Sequence, residues 1–432
     1  MMKHKRTVVW ALRLLLWIGL GICSIVILYQ GLFSRRDPAV KGVQPNMLEV
    51  NAVKYHETNK VDIEKAMPVL QLSESVRKAC SAEVKQSGPS RVLSTLQYIP
   101  GKNILYCPVE KIGTTFWRRV FYTFAFKHSK DKLPFDIPEE LAQEEIKDHF
   151  SKSYSSDFPT DYFSFMFVRN PFSRLLSAYV DKIVAPNPFY WRQFGALAVN
   201  KYRQNVNKTA VRGHDISFAE FVRLATDMES TNMYKDPHIK SIGTSCHPCH
   251  HNYSFIGRME NFKEDSLYVL KKIEAQNEMI KTLDSQWDTL STKASIEVNI
   301  EYWFDSKSQI SKYISWEKAL KRFWLYMQMR GLIEKRLPLN ITTDNVEKIS
   351  AKDFENLVKE ANNASNKAEL SKQKRDVKIE AFTSVEPSLL KKFVYVFRKD
   401  FELYGYDPSP SYIFKRDDTK ITTKFFNYPH LN

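Results

Sequence analysis

Lys111, Gly113, Thr114 and Thr115 follow a short apolar run, Ile104-Leu105-Tyr106-Cys107, that breaks at Pro108. After them, Phe116, Trp117, Val120, Phe121 and Phe124 repeat at the spacing of one helix face. The pattern predicts a strand, a tight loop and a helix, with Thr114 as N-cap. In such a unit the loop amides and the helix start point at one spot and stabilise negative charge there. Lys111 adds a cation, Gly113 lets the backbone come close, and the two threonine hydroxyls can donate hydrogen bonds. Lys111 precedes its glycine, so the stretch is not the triphosphate-binding G-x-x-x-x-G-K-[ST] loop. It is read as a phosphate cradle for something other than ATP or GTP.

A second unit lies about fifty residues on. Phe163-Ser164-Phe165-Met166-Phe167-Val168 reads as a buried strand ending in Arg169-Asn170-Pro171. In the helix expected next, Leu175, Leu176, Tyr179, Val180 and Ile183 form the inner face. Ser173, Ser177 and Asp181 lie on the other side. In a parallel sheet both units would open on the same edge, where α/β folds take ligands. Arg169 can grip a phosphate with two donors, and Ser177 can add a third.

These corners need a carrier. Leu14 to Phe33 is an uncharged run of 20 residues rich in Leu, Ile, Val and Trp. That is long enough to cross a bilayer as a helix. Lys3, Lys5, Arg6 and Arg13 before it favour a cytoplasmic N-terminus. The expected layout is a cytoplasmic tail over 1–13, a signal anchor over 14–33 and a polar stem over 34–95. A catalytic domain over 96–410 and a C-terminal tail over 411–432 complete it. A charge-rich helical insertion is expected over 276–381. There Trp316, Leu320, Phe323, Trp324 and Met327 share a face, and the stretch is read as solvated in preference to an acceptor-binding surface for an anionic glycan. The body of the protein would lie in the secretory lumen. The four sequons at Asn207, Asn252, Asn340 and Asn363 agree with that side of the membrane.

The chain carries 64 basic and 49 acidic residues, a formal charge of +15. That balance suits an acidic partner, and the anchor argues against nucleic acid. Outside the span the cysteines are Cys80, Cys107, Cys246 and Cys249. In an oxidising lumen they are expected to form disulfides, for which three pairings exist. Cys246-His247-Pro248-Cys249-His250-His251 also invites zinc, but no second ligand pair stands at ordered spacing.

The residues resemble a known family. Lys111-Ile112-Gly113-Thr114-Thr115-Phe116-Trp117-Arg118-Arg119 is similar to the 5′-phosphosulfate loop of carbohydrate sulfotransferases. Phe167 to Tyr179 resembles their 3′-phosphate motif, FVR-x-PF-x-RL-x-SAY. The segment from Cys246 to Ser266, and Leu389 to Tyr406, are similar to later parts of Golgi chondroitin and dermatan 4-O-sulfotransferases. The first loop departs from the 4-O enzymes, which show Pro-Lys-Val-Ala-Cys there, and residues 276–381 run longer than their counterpart.

The resemblance implies an α/β fold in which helices flank a parallel sheet, P-loop-like in its handling of 3′-phosphoadenosine 5′-phosphosulfate (PAPS). It implies a Golgi type II membrane enzyme moving a sulfuryl group from PAPS to a glycan hydroxyl without a metal. Lys111, Ile112, Gly113, Thr114 and Thr115 would hold the 5′ end of the donor, Arg169 and Ser177 the 3′-phosphate, and Arg258 would sit nearby. His238 in Asp236-Pro237-His238 matches a family histidine and is the candidate base, with Glu110 and His149 as alternatives. The acceptor would be chondroitin- or dermatan-like, or an N-glycan. Two other readings use the same residues: an inactive glycan-binding protein on this fold, and a lumenal kinase requiring ATP and magnesium.

Overall fold

A computed structural model describes residues 71–87, 94–99, 101–154, 161–205, 207, 211–231, 236–341, 345–415 and 424–426. The expected cytoplasmic tail, the membrane span over 14–33 and the first part of the stem lie outside the described residues. Among those described, no helix is long and apolar enough to cross a membrane.

In chain order the principal elements are helix α1 (Gln71–Ser87), strands β1 (Ser94–Ile99) and β2 (Ile104–Cys107), and helices α2 (Thr114–Ala125) and α3 (Glu139–Phe150). Strands β3 (Ser151–Tyr154) and β4 (Phe163–Val168), helix α4 (Pro171–Tyr179), helix α5 (Phe218–Ser230) and strand β5 (Phe255–Arg258) follow. Then come helices α6 (Phe262–Lys272), α7 (Asn277–Asp305), α8 (Trp316–Met329), α9 (Ala351–Asn363), α10 (Lys367–Thr383), α11 (Pro387–Val396) and α12 (Arg398–Tyr404).

The sheet runs β3-β1-β2-β4-β5. It is mixed, which corrects the expectation of a parallel sheet. Strands β2, β4 and β5 are parallel, whereas β1 is antiparallel to both β2 and β3. The reason is local. Gly101 and Asn103 both take left-handed backbone, and the Lys102 amide donates to the Ile99 carbonyl, so the chain folds back as a hairpin. A parallel crossover would need a dozen or more residues. The parallel part is what the site needs, because the ends of β2, β4 and β5 share one edge.

Tyr106 pairs with Phe165 across the parallel strands. Both pack under α2, where Trp117 lies 4.7 Å from Phe165 and 5.7 Å from Phe167, ring centre to ring centre. These side chains are almost wholly out of water. Each contributes about 1.5–3 kcal/mol of transfer free energy, so α2 is held firmly to the sheet.

Two disulfides close the fold, Cys80–Cys249 and Cys107–Cys246. The Cys246-x-x-Cys249 pair therefore does not bridge itself. Each of its sulfurs reaches a distant element, that of Cys246 reaching β2 and that of Cys249 reaching α1, and none of the four is a free thiolate for zinc. The bridges span 169 and 139 residues, and closing loops of that length contributes about 4–5 kcal/mol each on the chain-entropy account. Helix α1 lies within the stretch read as stem, yet it buries Leu72, Val76 and Cys80, and the Ile256 amide donates to its Ser73 hydroxyl.

Residues 276–381 are not a solvated insertion. Trp303 stacks on Phe323 at 4.1 Å, and Trp287, Trp316, Phe354 and Val358 are buried. Arg322 of α8 is fully buried. Its guanidinium donates to the carbonyls of Ile183, Val184 and His214, which fixes α8 to the turn that follows α4.

Candidate active site

The loop after β2 is built by backbone conformation. Lys111 and Gly113 both have φ near +70°. Lys111 is a non-glycine residue in left-handed backbone, a conformation associated with functional strain. At position 113 a Cβ would lie 2.2 Å from the Phe262 ring, so only glycine fits. Gly113, not Thr114, caps α2, and it makes no side-chain cap bond. Thr114 is the first helical residue, and its hydroxyl is spent on the Val109 carbonyl. The Thr115 hydroxyl donates to Glu139 at 3.1 Å. The amides of Thr114, Thr115 and Phe116 find no acceptor among the described residues, so the helix start presents free donors to an anion.

Lys111 and Arg169 meet. The Arg169 guanidinium donates to the Lys111 carbonyl at 2.9 Å. The two strand ends thus form one cleft at the carboxyl edge of the sheet. The Lys111 ammonium is held by Asp181 at 2.7 Å, and Lys182 shares that carboxylate at 3.0 Å. Burial pushes the Lys111 pKa down, and the Lys182 and Arg330 charges push the same way; Asp181 pulls it back up without restoring the ordinary value. Burial opposes ionisation of Asp181, yet its two lysines hold its pKa far below the usual carboxylate range. Asp181 occupies the helix face expected for it, although the chain there has passed into a π-turn, Val180–Val184. Half-buried Ser177 lies on that face one turn earlier, and its hydroxyl makes no hydrogen bond among the described residues. Ile112 is fully buried and serves the core, so only its backbone faces the loop.

Arg174 is the internal brace. It is buried and donates to the carbonyls of Glu110, Pro237 and Lys240. It therefore ties the loop carrying Lys111 to the turn carrying His238. His238 Nδ1 lies 2.7 Å from Asp236 Oδ1 and 3.1 Å from the Tyr190 hydroxyl. The Asp236 carboxylate can only accept, so Nδ1 carries the proton and Nε2 keeps its lone pair. Burial lowers the His238 pKa, and the Asp236 bond opposes it without winning. Glu110, the alternative base, is committed to Arg118 at 2.8 Å; burial would raise its pKa, but Arg118 prevails and lowers it. His149 is exposed on α3, beside Glu145 at 3.6 Å. It belongs to a different part of the surface chemistry.

Arg258 is engaged by the C-terminal segment. It donates to the Tyr404 carbonyl, and its guanidinium lies 4.7 Å over the Tyr406 ring. The Tyr406 hydroxyl donates to Glu260 at 2.8 Å, and Glu260 accepts from the Asn170 amide at 2.9 Å. Arg258 thus supports the second corner through the C-terminal segment. Glu260, Tyr406, Arg174, Asp181 and Arg330 are members of the site that sequence reasoning did not assign. The helix-face spacing of Asp181 was the available signal; the other four come together only through tertiary packing.

The fold and the cleft define an α/β protein with unpartnered amides and two cations at the sheet edge. The chain belongs to the sulfotransferase family, whose model matches residues 95–315. It is 30% identical over 212 residues to carbohydrate sulfotransferase 11 of Rattus norvegicus, covering 46% of this chain and 59% of that one. It is 31% identical over 190 residues to carbohydrate sulfotransferase 9 of Homo sapiens, covering 42% of each. To carbohydrate sulfotransferase 14 of Danio rerio it is 32% identical over 182 residues, 40% of this chain and 46% of the relative. The match spans less than two thirds of the length of each relative. No solved structure matches the chain.

Proposed function

We propose that the protein transfers a sulfuryl group from PAPS to a hydroxyl of a glycan, as a Golgi enzyme anchored by residues 14–33. The observation that carries this reading is the contact between Arg169 and the Lys111 backbone, which joins two phosphate-gripping corners into one cleft. The residues fit the donor. Unpartnered amides at the start of α2 and the Lys111 ammonium suit the 5′ end. Arg169, with the Ser177 hydroxyl two turns along, suits a 3′-phosphate.

The donor supplies a sulfuryl group on a phosphate leaving group. In the transfer, the bond from sulfur to the 5′-phosphate oxygen breaks and a bond from sulfur to the sugar oxygen forms. Negative charge builds on the leaving oxygen, as in phosphoryl transfer. Lys111 and the loop amides stabilise that charge in place, at no cost of reorganisation. Asp181 holds the Lys111 ammonium until the anion arrives, and Lys182 keeps Asp181 neutralised afterwards. His238 Nε2 takes the proton of the sugar hydroxyl, and Asp236 stabilises the imidazolium that results. The acceptor is a glycosaminoglycan or N-glycan.

The test is incubation of the detergent-solubilised full chain with radiolabelled PAPS and a panel of desulfated glycosaminoglycans and N-glycans. Label in at least one glycan is expected, with activity intact in a chelator. Absence of label from every acceptor, together with failure to bind the donor, overturns the reading.

The base assignment sets a pH dependence. A protonated imidazole cannot accept the sugar proton. Because the His238 pKa lies below its ordinary value of 6.5, kcat/KM is expected to stay level through that pH and fall only at lower pH. Asp236→Asn removes the carboxylate that opposes the shift, so the acid limb is expected to move lower still. A limb above pH 6.5, or one that Asp236→Asn leaves in place, rejects His238 as the base.

A further inference from the structure

The helices of residues 276–381 bring two cations to the cleft. Arg330 follows the last turn of α8, and Lys374 stands on α10. Their juxtaposition is built. Gln373, buried beside Lys374 in sequence, donates to the Gln328 and Ile333 carbonyls at 2.6 and 2.9 Å and accepts from the Lys335 amide at 2.8 Å. That locks α10 to the C-terminal turn of α8. The Lys374 stem then lies across Gly331, the neighbour of Arg330; a Cβ at Gly331 would come within 2.5 Å of it. Gly331 has φ +67° and leaves that path open.

Both cations are exposed, and neither forms an ion pair among the described residues. Among the described residues the Arg330 fork donates only to the Tyr326 hydroxyl, at 2.6 Å. Lys374 has like charges about it, whereas Tyr326, Asp181 and Glu139 favour the charged form of Arg330 and hold its pKa up. Lys374 lies within electrostatic reach of Arg330 and Arg169, with Asp288 as the opposing carboxylate. Arg330 is felt by Lys111 and Arg169, with Asp181 and Glu139 opposing. Cations gathered without paired carboxylates repel one another, and an incoming anion relieves that repulsion.

Exposure separates this pair from the donor cations. Lys111 and Arg169 are half-buried at the cleft, while Arg330 and Lys374 are solvent-exposed. The donor occupies the cleft on the reading proposed above, and the acceptor enters from solvent. We propose that Arg330 and Lys374 form a subsite for a carboxylate or sulfate on a sugar adjoining the one modified, so that the enzyme selects an anionic glycan. This inference rests on that reading of the donor cleft. Both residues lie beyond the matched family segment, which ends at residue 315.

The test is calorimetric titration of the full chain, without donor, with chondroitin and with carboxyl-reduced chondroitin. The variants are Arg330→Gln, Lys374→Gln and the double substitution. Wild type is expected to prefer chondroitin by about 10²-fold, each single change to weaken chondroitin by about 5–10-fold, and the double change to erase most of the preference. Lys374→Gln alters an exposed side chain, so it keeps the test valid should Arg330→Gln misfold. A double variant that retains the preference overturns the proposal. So does one that binds chondroitin like wild type but adenosine 3′,5′-bisphosphate poorly, because the pair then serves the nucleotide. Selective chondroitin binding with no sulfuryl transfer to any acceptor would leave the subsite standing and sink the transferase reading instead.

Discussion

Lys111→Ala is expected to lower kcat by about 10²–10³-fold, roughly 3–4 kcal/mol of transition-state stabilisation, while the protein stays folded. The loss appears in kcat because the ammonium meets charge that develops on the leaving oxygen during transfer and is smaller in the ground state. Folding survives for a local reason. Asp181 keeps Lys182 at 3.0 Å when Lys111 is gone, so no buried carboxylate is stranded. The left-handed backbone adds no further cost, because lysine already carries a Cβ there as alanine does. Single-turnover rates with saturating PAPS, read beside thermal melting, separate the two effects. Wild-type turnover by this variant removes Lys111 from the chemistry.

Arg169→Ala is expected to weaken donor binding by about 10²–10⁴-fold, through loss of two charge-assisted donors worth about 1.5–3 kcal/mol each against water. A second consequence follows from its position. Its guanidinium also holds the Lys111 carbonyl, so kcat should fall as well, though less than in Lys111→Ala. Arg169→Lys keeps the charge but not the fork, and is expected to recover only part of the affinity. The readout is KM for PAPS alongside kcat. A donor KM unchanged in Arg169→Ala would assign the residue to structure alone.

The two corners were legible because each pairs a fully buried strand with a helix of clear 3.6-residue period. Phe116, Trp117, Val120 and Phe121 face the core as their spacing predicts, and so do Leu175, Leu176, Tyr179 and Val180. Asp181 was placed on its face by the same arithmetic. What failed was detail set by backbone conformation. The cap fell to Gly113 because its left-handed geometry starts the helix without a side chain. The antiparallel half of the sheet was within reach, since Gly101 and Asn103 between two apolar runs are hairpin residues.

The disulfide partners lie 139 and 169 residues apart, and no local pattern carries that information. The helices of residues 276–381 misled for a different reason. Their many lysines suggest a solvated surface, but Trp303, Trp316, Phe323 and Phe354 sit among those charges and join the main core. The role of Arg174 was hidden likewise, because its three acceptors are backbone carbonyls of two separate loops.

The account's centre is one cleft that grips both ends of a bisphosphorylated adenosine. The most direct measurement compares the affinity of the full chain for adenosine 3′,5′-bisphosphate with that for adenosine 5′-phosphate. The account predicts a preference of about 10²-fold or more for the bisphosphate, the worth of an Arg169 fork closed on the added phosphate. Equal affinity for the two nucleotides would contradict it.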